Sequence, residues 1–520
     1  MSDVTTTDLY EATMALSYLR EDMRAPATFS LFVRDLPPGR GFLVAAGLEP
    51  ALDFLAGYRV EREDVEEFAD ALHRPVPDLE PLLGLNFEGE VRAVPEGHVV
   101  FAGEPLLEVT APLPQAQLVE TYLLNQVCHQ TAVASKAARC VLAAAGRPVV
   151  DFSLRRTHGP SAGLQAARLG ALTGFAGTSN VAAATALGIP ASGTMAHSYI
   201  EAFPSEEGEE AAFRAFARCH PGPVTFLVDT YDTVAGVRTA ARVLTDLRRG
   251  PGCAIRLDSG DLDALARQAR AVLDAAGLTD VRIVASGGLD EYGVDRLVHA
   301  GAPIDVYAVG TRVGVAADAP YLDAAYKLVE YDGRPVMKLS SAKVTAPGRK
   351  QVFRRPGRPD VIALWQQRPP VSARPLLRTV MRGGRRTGPP DRWQDARERL
   401  RGPHRAVRPG TADPRSRTGP AGHVPSSSGT DRERARGSRS PYLPGTRRHH
   451  GRAFRTTGRL ELTGPVGRRG PAQGPMAPGA PAHRGLRWDR RRHPSVPPPG
   501  GGEDDDRSRT DQEGSPGCLP

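Results

Sequence analysis

The sequence predicts an α/β protein whose parallel strands are joined by crossover helices and close into a barrel, with an open doubly wound sheet as the alternative. Two observations carry the prediction. From residue 148 onward, short apolar runs alternate with amphipathic helical stretches, a spacing that demands parallel strands. Polar residues then gather just after nearly every run: Arg155, Arg156 and His158, then Asp229, then Asp258, Ser259, Gly260 and Asp261, then Ser286, Gly287 and Gly288, then Gly310 and Thr311. In a barrel such positions form one rim, where active sites are built. Packing does not explain a ring of acids, arginines and glycines.

The elements follow in order. Phe29–Arg34 reads as a strand, Gly41–Tyr58 and Asp64–His73 as amphipathic helices, and Val91–Val109 as short strands around a Pro-Glu-Gly turn. Apolar residues at three- and four-residue steps predict a long helix over about 116–145. The strands of the alternating part are 148–152, 224–228, 254–257, 281–285 and 304–308, with helices over 233–247, 262–276 and 291–300. Residues 322–365 read as strands returning toward the N-terminal unit, and 391–400 as one more helix. The expected domains are 1–115 together with about 330–400, then 116–329 as the barrel-like catalytic part, then 401–520.

Charge separates the last of these from the rest. The 520 residues carry a net charge of +8. Residues 401–520 contain 23 Arg, no Lys and 11 acidic residues, a net of +12, which leaves −4 for the first 400. Overall basicity is therefore no argument for a nucleic-acid-binding fold. The same 120 residues hold 20 Gly and 18 Pro but only ten Val, Leu and Phe and no Ile. Such a segment buries too little apolar surface to offset the entropy of ordering it, so a disordered tail is expected. Lysine-free, arginine- and proline-rich text is also what a GC-rich gene yields when translated out of frame. A frame change near residue 400 is the expectation, and a true RNA-binding tail the alternative.

Several classes are excluded. No apolar run reaches the roughly 18 residues of a membrane span. The N-terminus is polar and acidic, unlike a signal peptide. Cys128, Cys140, Cys219, Cys253 and Cys518 lack the CxxC spacing of zinc sites and fit a reducing cytoplasm.

Among chemistry-bearing residues, Ser286-Gly-Gly288 and Val309-Gly-Thr311 end consecutive late strands. Glycines let backbone N–H groups approach an anion, and barrels commonly hold phosphate there. Either turn alone would pass for an ordinary strand-to-helix connection. Arg256-Leu-Asp258-Ser-Gly-Asp261 sets acids and an arginine around a strand end, where Asp258 suits sugar hydroxyls, a metal or simple helix capping. Arg155 and Arg156 suit a carboxylate or phosphate, which guanidinium forks bind through paired hydrogen bonds. His197 is a lone histidine, a type more often structural than catalytic.

Taken together, Thr7-Asp-Leu-Tyr10, Phe152-Ser-Leu-Arg-Arg156, Gly177-Thr-Ser-Asn180, Gly193-Thr-Met-Ala-His197, Leu227-Val-Asp-Thr-Tyr-Asp-Thr233, Arg256-Leu-Asp-Ser-Gly-Asp261, Val309-Gly-Thr311 and Pro347-Gly-Arg-Lys-Gln351 occur in the order seen in nicotinate phosphoribosyltransferases. The chain resembles that family over about residues 5–400. The resemblance implies an incomplete α/β barrel with an N-terminal α/β domain, paired head-to-tail in a homodimer with shared active sites. It implies synthesis of nicotinate mononucleotide and pyrophosphate from nicotinate and phosphoribosyl pyrophosphate, with Mg²⁺ and coupled ATP hydrolysis, in the cytoplasm, without membrane or nucleic acid. The metal ligands are left unassigned.

By the same resemblance, His197 is the histidine that ATP phosphorylates. Arg155 and Arg256 frame the nicotinate ring and carboxylate, and Tyr10 of the partner subunit stacks on the other face. Asp258 binds the ribose hydroxyls. Ser286, Gly287, Gly288, Gly310 and Thr311 cradle the 5′-phosphate. Arg34, again from the partner, and Lys343 are candidates for the pyrophosphate. Thr178 and Ser179 belong to the substrate-selecting Gly-Thr-x motif, where nicotinamide-using relatives carry an Asp. Serine can donate a hydrogen bond to a carboxylate, so nicotinate is the expected substrate. The rivals are nicotinamide or quinolinate phosphoribosyltransferase, and, outside enzymes, a nucleic-acid-binding protein acting through its tail. Family members continue beyond the 391–400 helix with ordinary globular sequence, which this chain does not.

Overall fold

The computed structural model describes residues 3–204, 208–338 and 345–402. Lys343 and nearly all of the expected tail, from residue 403 onward, lie outside them. Six parallel strands form one open sheet, in the order Gly177–Thr178, Val149–Asp151, Val306–Val309, Arg282–Ala285, Ala254–Leu257, Thr225–Leu227. Each pairs in parallel with its neighbour. The last strand of this sheet in sequence thus returns beside the first, as barrel winding requires. Gly177–Thr178 and Thr225–Leu227 stand at its two ends, the former bridged on its outer side only by Thr178 to Ala191. The barrel is incomplete.

A second, antiparallel sheet of seven strands runs Arg334–Pro335, Ala324–Tyr331, Pro26–Val33, Pro105–Pro112, Glu90–Ala93, Arg378–Arg382, Arg385–Arg386. Its third strand, Pro26–Val33, is apolar almost throughout (Pro-Ala-Thr-Phe-Ser-Leu-Phe-Val) because both of its faces are covered. The helices Leu9–Arg20 and Leu113–Leu118 pack together, and the second also packs on this strand.

Two expectations need correction. The helix predicted from Gly41 begins at Leu48; before it, Leu43–Val44 pairs with Val99–Val100. The break has a tertiary cause. The buried Glu96 carboxylate accepts the N–H groups of Gly47 and Leu48 at 2.8 and 3.0 Å and so starts the helix. Gly47 sits at φ 87°, where a Cβ would lie 2.4 Å from the Gln126 carbonyl oxygen.

The long helix over 116–145 is two, Leu113–Leu118 and Glu120–Ala143. The second starts where Glu11 accepts the Thr121 N–H at 3.0 Å and its hydroxyl at 2.5 Å. Of the strands in 322–365, Ala324–Tyr331 joins the antiparallel sheet, and Lys350–Arg354 forms a small sheet with Val361–Leu364 and Arg374–Pro375 whose Val352 and Ile362 pack in the same core as Leu31 and Val109. The Lys350 N–H that would extend a ladder is taken by the buried Glu108 carboxylate at 3.0 Å.

The apolar interior divides into two clusters. One gathers Leu31, Val91, Val109 and Leu123 under the antiparallel sheet, and the other Phe226, Ile255, Ile283 and Val309 under the parallel one. The carboxyl ends of the parallel strands, above the second cluster, carry the polar residues.

Candidate active site

All four residues of strand Ala254–Leu257 are buried, including Arg256. A guanidinium taken out of water needs partners, and these come from neighbouring strand ends. Nε donates to the Ser286 hydroxyl at 2.9 Å, Nη2 to Asp258 Oδ1 at 2.8 Å and Nη1 to the Met195 carbonyl at 3.4 Å. Its flat face lies 5.4 Å from the centre of the Phe152 ring. Ser286 in turn donates to Asp258 Oδ1 at 2.5 Å.

The Asp258 carboxyl is consequently held below its ordinary range. Partial burial works against ionisation, but the Ser286 hydroxyl and the Arg256 guanidinium outweigh it, with His197 adding to the effect. Behind it, Asp229 Oδ2 accepts the Asp258 N–H at 3.0 Å and the Ser259 hydroxyl at 2.7 Å. The other oxygen, Asp229 Oδ1, is buried with no hydrogen-bond partner. His197 opens the helix His197–Glu201, with Nδ1 3.2 Å from the Thr230 hydroxyl and Nε2 3.8 Å from Asp258 Oδ2.

Two glycine turns complete the wall. Gly287 has φ 91°, and a Cβ there would lie 1.8 Å from the Asp258 carbonyl oxygen, so only glycine lets the two strand ends meet. At Gly310 a Cβ would meet the Phe152 carbonyl oxygen at 2.9 Å. Together these segments line a cavity of about 140 Å³ whose walls include Phe152, Arg155, Arg156, Arg256, Asp258, Ser286, Gly287, Gly288, Gly310 and Thr311. It presents guanidinium groups, one low-pKa carboxylate and backbone turns. That combination suits a ligand carrying both anionic groups and hydroxyls.

The remaining candidates lie elsewhere. Thr178 and Ser179 end the edge strand Gly177–Thr178 and do not line the cavity. The Thr178 hydroxyl donates to Asp151 Oδ2 at 2.7 Å, and the Ser179 N–H to the Asp151 carbonyl at 2.8 Å. Tyr10 is half-exposed on the helix Leu9–Arg20, its hydroxyl pKa raised by burial and by Glu120. Arg34 is ion-paired with Asp323. Neither Tyr10 nor Arg34 lines the cavity.

Sequence reasoning assigned no role to Asp151 or Phe152 and left Asp229 as a rim acid. Asp151 is buried, accepting from the Ser153 N–H at 2.9 Å as well as from Thr178, so it shapes the turn that carries Arg155. The signal was available: an acid ending an apolar strand at Val-Val-Asp and again at Leu-Val-Asp.

Among the described residues no three His, Cys, Asp or Glu side chains group to hold a metal by themselves. Mg²⁺ usually takes one or two carboxylates and completes its shell with water and substrate phosphates. The unpartnered Asp229 Oδ1 beside Asp258 fits that mode of binding.

Comparison with known proteins agrees with this layout. The family model described as nicotinate phosphoribosyltransferase (NAPRTase) N-terminal domain matches residues 5–128, and that described as the nicotinate phosphoribosyltransferase (NAPRTase) family matches residues 148–346. Nicotinate phosphoribosyltransferase pncB2 of Mycobacterium tuberculosis (strain ATCC 25618 / H37Rv) is 51% identical over 356 residues, covering 67% of this chain and 75% of the relative. Nicotinate phosphoribosyltransferase of Bacillus subtilis (strain 168) is 42% identical over 357 residues, covering 67% and 72%. The crystal structure of human nicotinic acid phosphoribosyltransferase superposes with a TM-score of 0.67 at 32% identity, covering 76% of this chain and 93% of that one. Sequence, strand order and site agree, and the chain belongs to the nicotinate phosphoribosyltransferase family.

Proposed function

We propose that this protein joins nicotinate to the phosphoribosyl group of phosphoribosyl pyrophosphate, releasing pyrophosphate and forming nicotinate mononucleotide in a salvage route to NAD. One observation carries the reading: Arg155, Arg256, Asp258 and both glycine turns, spread over 157 positions of sequence, line one cavity. Gly287, Gly288, Gly310 and Thr311 would bind the 5′-phosphate through backbone N–H groups, with Ser286, whose own N–H donates to the Leu257 carbonyl at 2.8 Å, fixing the start of the first turn. Arg155 and Arg256 would hold the pyridine carboxylate, with Phe152 under the Arg256 fork. Asp258, ionised throughout the neutral range, would accept from the ribose hydroxyls. It would thereby fix the sugar as C1 gains oxocarbenium character, loses pyrophosphate and is attacked by the ring nitrogen.

Asp229 and Asp258 are the carboxylates that would hold Mg²⁺, which when bound would offset the charge of the departing pyrophosphate. His197, partly exposed at the cavity's edge, is the proposed acceptor of a phosphoryl group from ATP. Tyr10 and Arg34 are proposed to act across a homodimer in the partner's site, with Lys343 near the pyrophosphate and Ser179 selecting the acid over the amide. The proposed compartment is the cytoplasm.

Pyrophosphate release tests the reading. Nicotinate should support turnover and nicotinamide and quinolinate should not, and ATP should accelerate it in the wild type but not in His197→Ala. Turnover with quinolinate and without ATP stimulation would replace this function with the rival one.

A further inference from the structure

The two glycine turns belong to neighbouring strands, and the helices that follow them both touch the long helix Glu120–Ala143, while only the second also rests on the 153–157 segment. The turn 286–288 leads into the helix Glu291–His299, whose first residue is gripped by the long helix Glu120–Ala143. The Glu291 carboxylate lies 2.5 Å from Lys136 Nζ and 2.9 Å from Arg139 Nε. The turn 310–311 leads instead into the short helix Thr311–Gly314. That helix sits against the 153–157 segment, where a Cβ on Gly314 would lie 2.6 Å from Ser153 Cβ. Strand pairing between the two runs ends at Ala285 and Tyr307, before either turn begins.

Beyond that point Asp290 links them. Its Oδ1 accepts the Gly293 N–H at 2.9 Å, capping the helix that follows the first turn. Its Oδ2 accepts Arg312 Nη1 at 2.9 Å, from the residue next to Thr311 in the second turn. Arg312 is 53% exposed, and an ion pair in contact with water contributes little to stability. The pair's value is geometric. Neither side chain lines the cavity, but Gly288 and Thr311, one or two residues away, both do.

We propose that Asp290 and Arg312 are positioning residues for the 5′-phosphate, setting the separation of the two turns that bind it. The inference rests on the phosphoribosyl-transfer reading above. Groups held at the correct spacing need no reordering when the anion arrives, so loosening the strap weakens phosphate binding ahead of any other step.

The test measures phosphoribosyl pyrophosphate binding by calorimetry on the full chain without nicotinate, then steady-state kinetics. Asp290→Asn keeps the capping oxygen and removes the charge, Arg312→Gln removes the partner, and Arg312→Lys keeps the charge. Each of the first two should raise Kd and KM for phosphoribosyl pyrophosphate by about three- to tenfold, with kcat and the nicotinate KM within about twofold of wild type. Arg312→Lys should recover part of the loss, and the double variant should be no worse than the worse single one.

Unchanged Kd values overturn the proposal, as does a fall in kcat and Tm affecting both substrates alike. Additive losses would show that Arg312 meets the phosphate itself, which also overturns it. A wild type that binds no phosphoribosyl pyrophosphate removes the underlying reading as well, and that result is distinguishable from the others.

Discussion

Asp258 holds three relationships at once: to the Arg256 guanidinium, to the Ser286 hydroxyl and to the His197 ring. Because its pKa is depressed, the charged form favours the folded state. That contribution is present above the ordinary carboxylate range and is lost only as pH falls through the lower folded value. Its titration therefore does not set the acid limb of activity near neutrality. Asp258→Asn should lower kcat/KM for phosphoribosyl pyrophosphate by about a hundredfold while leaving that limb in place, which a pH–rate profile checks. Ser179 offers a sharper specificity test. A carboxylate there facing the nicotinate carboxylate would cost about 4 kcal/mol at ~4 Å and an effective dielectric near 20, so Ser179→Asp should raise the nicotinate KM steeply. An unchanged KM would mean that the end of the edge strand Gly177–Thr178 does not reach the substrate.

Among the elements, the Leu9–Arg20 helix and the Glu120–Ala143 helix meet through a titratable joint. Glu11 is fully buried, and burial raises its carboxyl pKa to about 7 against the opposing hydrogen bonds of Thr121 and Thr7. A carboxyl raised in this way stabilises the fold at low pH, and the contribution is lost as pH rises through about 7. The wild-type Tm should fall between about pH 5 and pH 8, and Glu11→Gln should flatten that slope in a calorimetric series. Sequence periodicity placed five of the six parallel strands, and the helices that alternate with them from residue 233 onward, within a few residues, because apolar spacing is a local property. It left out the helices Leu9–Arg20, Pro160–Thr173 and Gly208–Cys219. It extended the 48–57 helix back to Gly41 and fused two helices at Val119. Both boundaries are set by carboxylates remote in sequence, Glu96 and Glu11, that satisfy the first N–H groups of the second segment.

For the whole molecule, the helix Trp393–Arg401 closes the described chain onto the rest. Trp393 Nε1 donates to the Leu187 carbonyl at 3.2 Å, and Arg399 Nε to the Glu96 carbonyl at 2.8 Å. A Cβ on Gly97 would lie 2.0 Å from the Ala396 carbonyl oxygen. A chain ending at residue 402 should keep nicotinate-dependent turnover. One ending at residue 390 should lose about 3 kcal/mol or more in denaturant unfolding, since it gives up a buried helix face. If the basic tail binds RNA, that binding should weaken steeply with salt and vanish in the chain ending at 402, with catalysis untouched.

What the amino-acid order determined by itself was local: the alternation of strand and helix, the glycines where strand ends turn, the acids and arginines just beyond them, and the change of composition near residue 400. Those features depend on neighbours a few positions away. Tertiary structure decided which strand ends share a wall, that Asp229 and Asp151 brace it from behind, and that Asp290 reaches Arg312. Buried polar groups must find partners wherever the folded backbone brings them, and here those partners lie 22 to 30 residues away, beyond the reach of any local pattern.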